Sequence, residues 1–167
     1  MYKLSKEKLV LIVILLLAVV LRLYGLDWDQ GQHLHPDERF LTMVINNTEF
    51  PNSLVEYFVV GKSSLNPNNV GYGFFVYGTV PLFITKLVAT ISNMHNYGDI
   101  TLVGRLLSAL FDVGTVYLVY VIARFIVSSS GSRINRRLPL VATFFYAISV
   151  LPIQLSHFLA VDTFLTF

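Results

Sequence analysis

The sequence predicts an all-α integral membrane protein, a multi-spanning helical bundle with juxtamembrane helices in a large first outer loop. Three observations carry that prediction. First, 54% of the 167 residues are hydrophobic and only 13% are charged, where a soluble domain carries about 25% charged residues. Second, the charged residues leave several apolar runs near the length of about 20 residues that a bilayer crossing needs. Third, basic segments alternate with an acidic one, as expected of chains sorted by the excess of Lys and Arg on the cytoplasmic side. Mean hydropathy is +0.64. This composition excludes a water-soluble enzyme, a disordered tail and a nucleic-acid module, since a net charge of +2 is too small for a polyanion footprint. Cysteine is absent, which excludes a disulfide framework, a thiolate metal site and a thiol nucleophile.

The first span is expected over about residues 9–26. Leu9 to Leu21 is unbroken apolar sequence, Arg22 interrupts it, and Lys3, Lys6 and Lys8 precede it. A cleaved signal peptide would need a small-x-small site, and Arg22-Leu23-Tyr24 stands there instead, so the segment is a retained signal anchor. The second span is expected over 101–127, apolar apart from Arg105, Asp112 and Arg124. The third is expected over 138–161, free of formal charge, with Pro139 suited to a helix start and Pro152 placed to kink the interior.

Residues 74–92 are apolar enough to span but hold Gly78, Pro81 and Lys86. Charge bias decides the matter. The lysine-bearing N-terminus and the linker with Arg133, Arg136 and Arg137 belong on the cytoplasmic side, and residues 27–73, with Asp27, Asp29, Asp37, Glu38, Glu49 and Glu56 against Arg39 and Lys62, on the outer side. Two cytoplasmic ends require an even number of crossings, so 74–92 is expected to be a juxtamembrane or re-entrant helix of the outer loop. From Asp162 a new apolar stretch begins with a candidate N-cap. The chain is therefore expected to be the front part of a longer membrane protein, with residues 1–167 forming one N-terminal portion.

The outer loop enters a helix, expected over 36–49, through His35-Pro36-Asp37-Glu38. Acids in a first turn ordinarily just complement the helix dipole. Helical phase adds more. With about 100° per residue, Phe40, Leu41, Val44 and Ile45 fall within about 80° of Asp37, which places Asp37 at the centre of the apolar face and Glu38 at its edge. A carboxylate on a burying face must be paired or used. Adjacent helical positions point about 100° apart, which is wrong for two carboxylates flanking one glycosidic bond. His33 and His35 with Asp37 lack a further metal ligand, and two partly exposed loop histidines account for them better. Asn46-Asn47-Thr48 is an acceptor sequon.

Within the second span Arg105, Ser108 and Asp112 share a face. Arg105 either snorkels to the interface or turns inward, whereas Asp112 must face the bundle with a partner. Seven residues separate the two by roughly 10 Å, so each is expected to have its own partner. Gln154, Ser156, His157 and Asp162 gather at the outer end of the third span. The predicted topology thereby collects Asp37, Glu38, Lys86, Arg105, His157 and Asp162 near one membrane face.

The chain resembles the N-terminal part of the C-type, polyprenyl-phosphate-sugar-dependent membrane glycosyltransferases, in their protein O-mannosyltransferase and aminoarabinose-transferase branch. The resemblance rests on Asp37-Glu38 opening a helix in the first outer loop, on Gly104 to Leu110 starting a span that ends before a basic turn, and on Leu155 to Phe164 with its small-apolar-Asp segment. It extends over essentially the whole chain. One departure stands out: relatives often carry a His-Pro-Pro-Leu or Lys-Pro-Pro-Leu motif where this chain has Thr79-Val80-Pro81-Leu82, which leaves the donor lipid and sugar open.

What the resemblance implies is an inverting, metal-free and cofactor-free transfer from a polyprenyl-phosphate sugar to a hydroxyl of a protein, lipid or glycan acceptor, at the outer face of the cell membrane. Asp37 would be the general base, and Glu38, the second member of the catalytic pair, would position acceptor or sugar hydroxyls. Arg105, with Lys86, would bind the departing phosphate, and His157 and Asp162 would contact substrate. The rival readings are a transporter or channel subunit, with Arg105 and Asp112 lining a path, and a non-catalytic membrane scaffold.

Overall fold

A computed structural model describes residues 5–129 and 137–167. Lys3, Arg133 and Arg136, on which part of the charge-bias reading rests, lie outside the described residues. The described chain is all-helical, with no strand among these residues. Helix α1 spans Lys6–Leu23, α2 Pro36–Asn47, α3 Leu54–Phe58, α4 Thr79–Ile91, α5 Tyr97–Ser129, α6 Leu138–Ala147, α7 Val150–Leu155 and α8 Val161–Thr166, with a 3₁₀ turn at Pro67–Val70. Among the described helices, α5 alone is long and apolar enough to cross a bilayer.

Several expected elements differ in extent. Helix α1 stops at Leu23, and its 18 residues include Lys6, Glu7, Lys8 and Arg22; at 1.5 Å per residue they extend about 27 Å. The segment expected over 74–92 is helical only from Thr79, because Gly78 sits at φ 73°, a left-handed conformation that a helix cannot continue through. Helix α5 is longer than expected at both ends.

The largest correction concerns 138–161, which is not one helix. Helix α6 ends at Ala147 with Ile148 at its C-cap, Ser149 holds the N-cap position of α7, and the chain breaks again before α8. The position of Pro152 supplies the reason. Its ring collides with the carbonyl four residues earlier and it offers no N–H to that carbonyl; the affected carbonyl is that of Ile148, the residue just after α6. Pro152 itself sits in the first turn of α7, where its missing N–H leaves nothing unsatisfied.

The chain divides into two compact units. The first comprises the described residues of Met1–Leu26, Ser108–His157 and Asp162–Phe167. Its core is Ile14 and Ala18 of α1, Val116 of α5 and Ala147 of α6, with Leu15, Leu140 and Tyr146 packed around it. Phe164 and Phe167 close on Phe111, at ring-centroid distances of 4.6 and 5.1 Å.

The second unit comprises Asp27–Leu107 and Phe158–Val161. There α2 packs on α4, burying Leu41, Val44 and Ile45 with Leu82 and Ala89. Thr42 of α2 and Thr101 of α5 share a hydrogen bond of 3.1 Å. Burying such hydroxyls costs little only because they pair.

Candidate functional site

The candidate site lies in the second unit and is built from the loop that follows α1. Gln30, Gly31 and His33 all take left-handed backbone conformations, with φ of 51°, 77° and 50°. Only at Gly31 is that free of strain. The tight path turns two backbone N–H groups onto Asp29: Gly31 donates to Oδ1 at 3.3 Å and Leu34 to Oδ2 at 3.2 Å. His35 then caps α2, its Nδ1 accepting from the Glu38 N–H at 3.3 Å, and Pro36 takes the first helical position.

From α5, Arg105 enters between the two acids. Its Nε and Nη2 donate to Glu38 at 2.8 and 2.7 Å, and its Nη1 and Nη2 donate to Asp29 at 3.0 and 2.8 Å. Both pairs are bidentate, the geometry in which a guanidinium fork matches a carboxylate best. Glu38 also accepts the Leu159 N–H at 2.9 Å, and Trp28 lies 5.5 Å from the guanidinium carbon. Arg105 and Glu38 are 1% and 0% exposed. The Arg105 hydrogen bonds hold the Asp29 carboxyl down at about 2, against a desolvation effect of opposite sign. Asp27 is 3.9 Å away and exposed.

The burial of α2 corrects the phase argument. Glu38, not Asp37, is on the buried face, together with Leu41, Thr42, Val44 and Ile45; Asp37 is exposed. An apolar count puts Glu38 only at the edge of the burying face and Thr42 on the opposite side. Here Thr42 is buried because Thr101 partners it, and Glu38 because Arg105 does, which shifts the buried face towards Glu38.

Asp37 has a different partner. The Tyr77 hydroxyl donates to its Oδ1 at 2.8 Å, and this bond raises the pKa of the phenol. No hydrogen bond to Oδ2 occurs among the described residues. Phe40 and Tyr77 are neighbours at 5.7 Å, and Phe40 also meets Tyr72 at 5.7 Å, so the open carboxylate stands beside an aromatic cluster.

The other residues expected in the site are spread more widely. Lys86 donates to the Ile45 carbonyl at 3.3 Å, placing a cation at the C-terminal end of α2 where the dipole favours it; burial lowers its pKa, with Glu49 acting the other way. His157 and Asp162 belong to the first unit. There the ring nitrogens of His157 lie 2.7 Å from the Ile153 carbonyl and 2.9 Å from that of Tyr24, while Asp162 is exposed in the first turn of α8. His33 contacts Thr101 and the Tyr97 ring, and His35 stacks on Phe158 at 4.2 Å, so each serves packing rather than a shared ligand position with Asp37.

Sequence reasoning missed Asp29. It stood only among the acids of the outer loop, although a buried arginine facing a second carboxylate would have pointed to it. Arg22 was missed too. In the first unit it pairs with Asp112 through Nε, donates to the Ala147 carbonyl at 2.9 Å, and shares Asp112 with the Tyr146 hydroxyl at 2.8 Å. The Ala147 carbonyl is available because α6 ends at that residue.

Taken together, the second unit presents a buried guanidinium–dicarboxylate clamp directly behind an open carboxylate. Comparison with known proteins finds no matching family model, no similar curated protein and no solved structure of significant similarity.

Proposed function

We propose that the protein is a multi-spanning membrane glycosyltransferase that moves a sugar from a polyprenyl-phosphate carrier to an acceptor hydroxyl at the outer face of the bilayer, with inversion and with Asp37 as general base. The observation that carries this reading is the division of labour between neighbours in sequence. Glu38 is buried and held by three donors, whereas Asp37 is exposed with one oxygen open. A general base needs an accessible oxygen on a rigid support, and the clamp behind α2 supplies the support.

In the proposed step the acceptor O–H gives its proton to Asp37 as its oxygen bonds to the anomeric carbon. The bond from that carbon to the phosphate oxygen breaks, and polyprenyl phosphate leaves with the electron pair. Arg105 takes a positioning role rather than a phosphate-binding one, because its fork is already filled by Glu38 and Asp29. The resemblance implies Lys86, His157 and Asp162 as substrate contacts.

Membrane insertion is supported by the exposed apolar surface. Leu9, Val13, Leu16 and Val20 form a stripe along α1 at 55–60% exposure, and Leu110, Tyr117, Ile122 and Phe125 are exposed on α5. Soluble monomers rarely expose contiguous apolar patches of that extent.

The test is sugar transfer in membranes holding the protein, supplied with radiolabelled polyprenyl-phosphate sugars. Asp37→Asn should lower transfer by about 10²-fold or more, while Glu49→Gln, at another exposed acid, should change it little. Absence of transfer from every donor by inserted, folded protein would reject the reading.

A further inference from the structure

The first unit contains a groove of about 750 Å³ between α1 and α6. Val10 and Ile14 form one wall, and Leu140, Val141, Phe144 and Phe145 the other. Four residues of α1, Lys6, Glu7, Val10 and Ile14, line it over about 12 Å of the helix. Val10 and Phe145 remain 45% and 61% exposed, so the two helices leave the groove open.

Its chemistry is asymmetric along its length. Lys6 is the first residue of α1 and Arg137 immediately precedes α6, so both exposed cations stand at the same end. At that end Glu7 accepts the Tyr120 hydroxyl at 2.6 Å and lies 3.8 Å from Arg124. Both helices also turn their N-terminal ends, the positive poles of their dipoles, toward that end. An apolar slot with a cationic mouth matches a molecule having a long hydrocarbon tail and an anionic head.

We infer that this groove binds an anionic phospholipid of the bilayer, with an acyl chain between α1 and α6 and the phosphate facing Lys6 and Arg137. The inference rests on the membrane part of the reading above and not on sugar transfer, which a lipid-binding measurement does not touch. A basic residue at a membrane surface contributes about fivefold in affinity for anionic lipid, so two cations set the expected preference at about 25-fold.

The experiment is a titration of the purified protein in detergent with phosphatidylglycerol or with phosphatidylcholine carrying the same chains, bound lipid being counted by native mass spectrometry. Phosphatidylglycerol should bind more tightly by about that factor. Lys6→Gln should lower its binding about fivefold, and adding Arg137→Gln should bring it to the level of phosphatidylcholine. Both side chains are exposed, so these variants keep the fold. Val141→Trp, which fills the groove, should weaken both lipids alike. Equal binding of the two lipids, a preference that survives the double charge variant, or binding indifferent to Val141→Trp would each overturn the proposal. So would a second copy of the chain occupying the groove in place of lipid.

Discussion

Among the described residues two arginines are buried, one in each unit, and their surroundings differ in kind. Arg105 meets two carboxylates in two bidentate pairs, and one of those carboxylates takes a further backbone N–H. Arg22 meets one carboxylate and two helix carbonyls, and its Nη2 has no hydrogen-bond partner among the described residues. Arg105 therefore anchors three chain segments: the loop after α1, the start of α2 and the turn before α8. Arg22 mends a helix break, donating to the carbonyl of Ala147 at the end of α6. The difference shows how a buried cation can specify a loop conformation in one place and merely satisfy stranded backbone in another.

That contrast is broken or sharpened first by removing each cation. Arg105→Met leaves two carboxylates buried against each other and should destabilise by about 3–5 kcal/mol, the range for orphaning a buried ionic partner. Arg22→Met leaves only Asp112, still held by the Tyr146 hydroxyl, and should cost less. Replacing Arg22 and Asp112 together by Met and Leu should recover most of that loss, since a whole buried pair often exchanges for apolar residues at little cost. Unfolding of the purified variants in detergent measures the ranking. Equal losses at the two arginines would remove the distinction drawn here.

The next effect tests how closely the Arg105 clamp is packed. Gly104 precedes Arg105, and a Cβ there would lie 2.7–2.8 Å from the Leu159 side chain, including its Cβ. Leu159 cannot retreat by a rotamer change alone, because its Cβ moves only with its backbone, and that backbone N–H donates to Glu38. Gly104→Ala should therefore cost about 1–3 kcal/mol, the usual penalty for overpacking, and should disturb the clamp. A combined Gly104→Ala/Leu159→Ala variant relieves the contact, so its loss should fall below the sum of the two single losses. Strict additivity would show that the two residues do not meet.

Much of this arrangement was legible in the sequence. The helix opened by Pro36 and the long helix carrying Arg105 and Asp112 follow from apolar runs and helix-start residues, and separate partners for Arg105 and Asp112 follow from their spacing. What escaped was set by tertiary pairing. Helical phase ranked Asp37 above Glu38 because hydropathy gives no credit to a buried acid whose partner lies 67 residues away. Asp29 escaped because its position depends on left-handed backbone at Gln30 and His33, residue types that seldom announce such a turn. The break at Ile148 and Ser149 had a visible cause in Pro152, but proline tells only that a helix bends or stops, and the bond from Arg22 to the Ala147 carbonyl beside the break is a tertiary contact.

The smallest effect separates the two arginine sites by pH. Asp29 is held at about 2 against an ordinary value of 3.8, so it binds its proton less readily in the folded chain than in the unfolded one. Its contribution to stability is thus complete above pH 3.8 and is lost as the pH falls towards about 2. Unfolding measured across that window should show a decline that Asp29→Asn flattens, because the amide has no proton to gain. Asp112→Asn, in the other unit, lowers stability without removing that Asp29-linked slope. If the decline persists unchanged in Asp29→Asn, the acid sensitivity belongs to another carboxylate, and the loop carboxylate is not what Arg105 holds most firmly.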